Sequence, residues 1–424
     1  MRILYNIAFI LFGIIYFPYL VVKGKTHKNF MQKFAFLPKK ITDLKKPVWI
    51  HGVSVGEAVL AVKLARAVKK KFPEKRIIAS TTTETGMDII SRQGEGIIDG
   101  VFYYPLDISV IVRRAVRLID PQAYIMIETE IWPNLLACLA KKNIPAIIVN
   151  GRISDNSFKN YRKIKFVTRR VFRNITYFCM QSERDVERIK ELGANENSTC
   201  VSGNMKFDGE MPRRGEKELS RSKLGFNDET RVLVAGSTHF PEERMIVDIY
   251  KDLRRSNRNL RIILVPRHVN RCPAINAMIE KNGLKARNFS DYFDPPARSP
   301  ETIDVLLVDT IGNLKDIYAL ADVVFIGGSL APKGGQNPIE PAMWGKPVIF
   351  GPEMFNFRKI ADIFIENSAA LCVKDSAELK KTLEMLLKDP DKRSRMAAGA
   401  FKVIKDNQGA MTKTVEALSK YIIS

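Results

Sequence analysis

Carboxylates, glycines and cations recur in this chain where short apolar runs end. After Val48-Trp49-Ile50 comes His51-Gly52-Val53-Ser54-Val55-Gly56-Glu57. A turn leading into a helix would set Glu57 at the positive helix end, which keeps a carboxylate ionised and fixed. Such a group can serve as a general base, and it can equally be a first-turn helix stabiliser. Glu128-Thr129-Glu130-Ile131-Trp132-Pro133-Asn134 follows another apolar run. In an extended chain its two carboxylates share one face; a turn at Thr129 would send one to the next helix start. They could also be solvated loop acids. Ser202-Gly203-Asn204-Met205-Lys206-Phe207-Asp208 offers Lys206 to a phosphate or a carboxylate, or leaves it in water.

A second set of residues suits an anionic nucleotide. Gly236-Ser237-Thr238-His239 presents amides and hydroxyls to a phosphate. Arg267, in Pro266-Arg267-His268, presents a planar fork. Val308-Asp309-Thr310-Ile311-Gly312 closes a run in a tight loop that could edge a base. Gly334-Gly335-Gln336-Asn337-Pro338-Ile339-Glu340-Pro341 follows Val323-Val324-Phe325-Ile326-Gly327-Gly328. Glycines allow close backbone approach and leave amides for anions. A helix starting near Asn337 or Pro338 would point its positive end at the ligand, with Glu340 placed to accept from ribose hydroxyls. All of these are also ordinary strand-to-helix turn chemistry.

The elements that must hold these residues alternate along the chain. From Pro47 onward short β-branched runs precede polar loops and helical patterns, which predicts parallel sheets covered on both faces. The pattern pauses between Asp208 and Thr230, rich in Arg, Glu and Gly, and restarts at Val232. Two β/α domains joined by a linker imply a cleft, and ligands of open α/β sheets sit beyond the carboxyl ends of the strands. The residues from Ala410 onward suit a last helix packed back across the domains.

Composition narrows the partners. The chain has 424 residues, 46% hydrophobic, and a formal net charge of +22. It is globular, with a preference for anionic partners, but carries no zinc-finger or aromatic-basic RNA signature. Five scattered cysteines read as buried free thiols, and four histidines give no metal-ligand spacing. Asp389-Pro390-Asp391 reads as a turn between helices and not as a metal-binding acidic pair. Ile3 to Val22 is apolar apart from Asn6, long enough to span a bilayer, and is followed by a lysine-rich stretch to Lys46. It reads as a single anchor with the rest cytoplasmic, removable because the β/α core begins near Pro47. The other readings are a signal peptide, or a helix packed on the body or lying in the membrane interface. Arg152 to Arg173 is basic, with an apolar side of Ile164, Phe166, Val167, Val171 and Phe172 that suits a bilayer, acceptor phosphates or plain solvation.

Taken together, the His51–Glu57, Glu128–Asn134, Gly203–Asp208 and Gly327–Pro341 blocks resemble the Kdo transferases, membrane-associated glycosyltransferases of Gram-negative lipopolysaccharide synthesis. The resemblance covers nearly the whole chain, in order and spacing. It implies an α/β, GT-B architecture: two Rossmann-like β/α domains facing a cleft, with an N-terminal membrane-anchor helix. The corresponding division is 1–22 anchor, 23–208 acceptor domain, 209–229 linker and 230–424 CMP-Kdo domain. The implied reaction transfers 3-deoxy-D-manno-oct-2-ulosonic acid (Kdo) from CMP-Kdo to a lipid A precursor, lipid IVA, with inversion and without metal or cofactor. By motif, Glu57 matches the family's catalytic base, and Glu128 and Lys206 match residues that stabilise the transition state. Gly236, Ser237, Pro266, Arg267, Ile311, Gly312, Asn313, Asn337, Pro338, Ile339 and Glu340 match the CMP-binding segments. Gln336, Asn313 and Gly52 depart from the residues relatives often carry. The implied partners are CMP-Kdo, the lipid A precursor and anionic inner-membrane lipids, with no nucleic acid, at the cytoplasmic face of the inner membrane. A UDP-sugar transferase or epimerase, or a membrane-tethered nucleotide-sugar-binding protein without catalysis, are the alternatives.

Overall fold

Short runs that are apolar on both faces must be covered on both faces, and parallel strands joined through helices are the arrangement that does this. The computed structural model describes residues 5–7, 9, 11, 29–209, 219–292 and 303–422. The first sheet contains β1 (Val48–His51), β2 (Ile77–Thr81), β3 (Gly100–Tyr103), β4 (Ala123–Ile127), β5 (Ala146–Gly151), β6 (Tyr177–Met180) and β7 (Thr199–Val201). Its order is β3-β2-β1-β4-β5-β6-β7. The second contains β8 (Arg231–Thr238), β9 (Leu260–Pro266), β10 (Ala286–Asn288), β11 (Val305–Leu307), β12 (Val323–Ile326), β13 (Val348–Phe350) and β14 (Ala370–Cys372), in the order β10-β11-β9-β8-β12-β13-β14. Every strand pair is parallel. The chain therefore has two Rossmann-like α/β sheets of the GT-B kind.

Strand order reverses between β1 and β4 in the first sheet, and between β8 and β12 in the second. Such switch points open a crevice at the carboxyl ends of the strands. Six helices matter below: α1 (Val55–Lys71), α2 (Ser109–Ile119), α3 (Pro133–Lys141), α4 (Glu242–Ser256), α5 (Ile339–Met343) and α6 (Ala410–Ile422). Leu60, Leu64 and Val68 on α1 lie four apart and are buried, so one stripe of the helix packs on the sheet.

Two compact units result: residues 1–208 with 407–424, and residues 209–406. Helix α6 is part of the first, where Ala410, Val415, Leu418 and Ile422 join the core with Ile50, Ala61 and Ile125. Asp208 ties its start by accepting from the amides of Gly409, at 2.6 Å, and Met411. The first unit also extends ahead of Pro47. Ile41 is buried in the core against Gly100, where a Cβ would run into it.

Several expectations change. Residues 219–229, linker-like in composition, are folded on the second unit: Leu224 and Phe226 are buried, and Arg221 pairs with Asp322 at 2.8 Å. Residues 210–218 lie outside the described residues. Only Cys179 and Cys272 are buried; Cys138 and Cys200 are half-buried and Cys372 is exposed, because they lie near sheet edges or helix flanks. Most of the anchor segment Ile3–Val22 also lies outside the described residues, and among those described no helix is long and apolar enough to cross a membrane.

Candidate active site

In the first unit the crevice between β1 and β4 gathers three carboxylates and two cations. Ser54 is the N-cap of α1, and its hydroxyl accepts from the Glu57 amide at 3.3 Å. The Glu57 carboxylate folds back to accept from the Val53 amide at 2.7 Å and from the Ser54 hydroxyl at 2.7 Å. This is a capping-box arrangement, so Glu57 does stabilise its helix. The same bonds hold its carboxylate still in a buried position. Burial pushes its pKa above the ordinary range; the Val53 and Ser54 bonds oppose this and the Glu128 charge adds to it.

Glu128 follows β4 directly and has φ +59. That left-handed backbone costs a non-glycine residue about 1–2 kcal/mol and is held by its surroundings. The chain thus already turns at Glu128 and bends on through Thr129, and the two acids of this block have different partners. Glu128 pairs with Lys206 at 3.0 Å and with Arg152 at 3.0 Å. Burial works to raise its carboxyl, but Lys206 and Arg152 together outweigh burial and hold it below the ordinary range. Glu130 has neither pairing. Burial, then the charges on Glu57 and Glu128, push its carboxyl up to about 7.

Lys206 arrives through a loop with its own supports. Asn204 accepts from the Lys206 amide at 3.0 Å, and buried Asn150 accepts from the Met205 amide at 2.9 Å. The structure thus brings Glu57, Glu128 and Lys206 into one site. Motif reading missed Arg152 and Asn150 as parts of it. Their signal was position: Asn150-Gly151-Arg152 ends β5, the neighbour of β4.

In the second unit four segments end on neighbouring strands. Gly236 and Ser237 close β8, Pro266 closes β9 with Arg267 next, Ile311, Gly312 and Asn313 follow β11, and Asn337 to Glu340 follow β12. A Cβ at Gly236 would strike the Tyr318 hydroxyl, so glycine is required there. Gly312 has φ +98, and Ile311 beside it stands 86% exposed, a large apolar group left open at this edge. Helix α5 starts at Ile339, one residue later than the expected limit. Asn337 accepts from the Ile339 amide at 3.1 Å and donates to Glu340 at 3.3 Å.

The glycine-rich turn after β12 holds an internal anion. Glu242, fully buried on α4, accepts from the amides of His239, Gly328, Ser329, Leu330 and Ala331 at 2.7–3.2 Å. Those amides are therefore committed to the protein, as are the amides of Lys333, to the Ala331 carbonyl, and Gly335, to the Gly328 carbonyl. Nothing in Pro241-Glu242-Glu243 announces this role. The His239 ring meets His268 edge-on at 5.5 Å, and burial lowers its pKa. Among the described residues no group of three or more His, Cys, Asp or Glu could hold a metal ion.

The family described as 3-deoxy-D-manno-octulosonic-acid transferase (kdotransferase) matches residues 28–209. A 3-deoxy-D-manno-octulosonic acid transferase from Rickettsia bellii is 30% identical over 429 residues, covering 99% of each chain. A bifunctional glycosyltransferase/methyltransferase from Fusobacterium nucleatum is 35% identical over 380 residues, 88% of this chain; the match spans 57% of that longer protein. Among solved structures, a putative UDP-N-acetylglucosamine 2-epimerase from Listeria monocytogenes matches with a TM-score of 0.60. It covers 90% of this chain and 98% of its own; at 13% identity it shows the fold alone. With a full-length relative at this identity, the chain belongs to the 3-deoxy-D-manno-octulosonic acid (Kdo) transferase family.

Proposed function

We propose that the chain transfers Kdo from CMP-Kdo to lipid IVA in lipopolysaccharide core assembly, with inversion and without a metal. The observation that carries this reading is the contrast within one crevice: Glu57, buried with raised proton affinity, beside Glu128, kept ionised by Lys206 and Arg152. Glu57 takes the proton from the acceptor hydroxyl as its oxygen attacks the anomeric carbon of Kdo. A base whose proton affinity is raised towards working pH does this better than an ordinary carboxylate. The bond from that carbon to the CMP phosphate breaks, and CMP leaves as an anion that needs little protonation. Lys206, oriented by Glu128, supplies positive charge where negative charge develops.

On the second unit, Gly236, Ser237 and Arg267 suit the phosphate, Asn337 to Glu340 the ribose, and the Ile311-Gly312-Asn313 loop the base. Each set is described on its own unit, and the reaction needs a nucleotide site and a base alike. Ile164 and Phe166, 50% and 79% exposed among lysines and arginines, suit an anionic bilayer or the acceptor's phosphates, while Val171 and Phe172 of the same stretch are buried in the core. We read the N-terminal segment as holding the enzyme at the cytoplasmic face of the inner membrane.

Mass spectrometry of the lipid product tests this. Incubation with CMP-Kdo and lipid IVA should add Kdo with release of CMP, and UDP-sugars should give no product. Release of UDP from a UDP-sugar, or CMP-Kdo binding without a lipid product, would replace this reading with one of its alternatives.

A further inference from the structure

A polar contact joins Asn6 to the starts of α2 and α3, and α3 directly follows the loop that carries Glu128 and Glu130. Residues 5–7, 9 and 11 are helical. The Asn6 side-chain amide donates to the Ser109 hydroxyl at 2.8 Å. Its carbonyl accepts from the Ser109 amide at 3.2 Å and from the Asn134 side chain at 2.8 Å. Ser109 begins α2, and Asn134 lies in the first turn of α3. Asn134 also donates to the Asp107 carbonyl at 2.6 Å. The Asp107 carboxylate, fully buried, accepts from the α3 amides of Asn134 at 3.0 Å and Leu135 at 2.8 Å, and from the Tyr5 hydroxyl.

Helix α3 has no side-chain cap of its own, since Trp132 stands at its N-cap. Asp107 takes that role from across the fold, and Tyr5 and Asn6 complete the ring around it. The five residues Glu128 to Trp132 are strung between β4 and this helix start. On their aromatic side they are held by packing: Trp132 meets Tyr104 at 5.0 Å, and the indole N–H finds no partner among the described residues. An asparagine in an apolar segment looks like a flaw in a membrane helix. Here it is satisfied inside the protein, while Ile7 and Leu11, four apart, stay about half exposed.

We propose that Asn6 is a positioning residue for the transfer reaction, acting through Asn134 to fix the start of α3 and with it the Glu128–Trp132 loop. Helical residues 5–7 are then a built part of the first unit, and removing them alters the site as well as the membrane attachment. This rests on the Glu128 loop being part of the transfer site.

The test uses the full-length protein with Asn6→Leu, Asn134→Ala and the double variant. Leucine makes the segment more apolar, so flotation with phosphatidylethanolamine–phosphatidylglycerol vesicles should be undiminished. The kcat should fall at least about ten-fold, because small displacements of a catalytic loop are costly, with the CMP-Kdo KM within about two-fold. Hydrogen exchange across residues 128–139 should speed up, and the double variant should be no slower than Asn134→Ala alone. A wild-type kcat in Asn6→Leu, additive losses in the double variant, or a loss of rate that follows a loss of vesicle binding would each overturn the proposal. Should the leucine variant unfold, Asn6→Ala adds no bulk and serves the same comparison. Glu128→Gln run alongside separates the two ideas: full activity there removes the loop from the site, whereas the exchange measurement reports on the Asn6 contact alone.

Discussion

At the scale of single residues, three carboxylates of one chemical type end up with different proton affinities because their neighbours differ. Glu57 is buried against its own helix cap, Glu128 is half-buried between two cations, and Glu130 is half-buried near two like charges. Replacing Glu57 by glutamine keeps an oxygen for the Val53 amide but removes the base. We expect Glu57→Gln to lower kcat by about 10²–10⁴-fold while calorimetric CMP binding stays unchanged. Near-normal turnover by the folded variant would remove Glu57 from the role. For Glu130 the consequence is in stability. Between its ordinary value of 4.5 and about 7 the folded protein holds this proton and the unfolded chain does not. Stability therefore falls as pH rises through that window, and the penalty is complete above it. Glu130→Gln should then raise the urea midpoint relative to wild type at pH 8, with the gap closing below pH 4.5. A gap that does not change with pH would mean Glu130 is not held in this way.

At the scale of elements, strand ends and helix starts locate the chemistry, and much of that was legible beforehand. Apolar runs ending in polar blocks marked β1, β4, β8, β9, β11 and β12, because a strand buried on both faces has a nearly continuous apolar signature. What stayed hidden were supports that join distant segments. Arg152 is 24 residues from its partner Glu128, and Glu242 is 86 from Gly328. The Glu242 contact gives the next expectation. Glutamine there would place an amide N–H₂ against backbone donors and leave at least two of them without acceptors in a buried site. Each such group costs about 1–3 kcal/mol, so Glu242→Gln should destabilise the second unit by roughly 2–6 kcal/mol. It should also weaken CMP binding, since the same turn leads to Gly334 and Glu340. An unchanged urea midpoint would show that the turn does not depend on this anion.

At the scale of the whole molecule, the first unit is completed by α6, which returns to it after the second. Val415, Leu418 and Ile422 of α6 are buried in it, and burying each such side chain stabilises by about 1.5–3 kcal/mol. Their sum is comparable with the entire stability of an ordinary domain. A chain ending at residue 406 should therefore lose the fold of the first unit while keeping that of the second. Limited proteolysis read by mass spectrometry would show cuts within 29–208 first; undiminished resistance there would contradict the assignment of α6.

The local order of the chain was enough to determine the α/β alternation, the two sheets and the family blocks, because periodicity, turn residues and motif spacing are written over a few consecutive residues. Tertiary structure alone decided which acid is paired with cations, which amides are already taken and what Asn6 contacts. Each of these depends on burial and on partners far away in the sequence. The charge state of Glu128 comes from cations brought by β5 and by the loop after β7, and the meaning of Asn6 comes from residues more than a hundred positions on. A polar group is a defect or a fastening according to what the fold places opposite it.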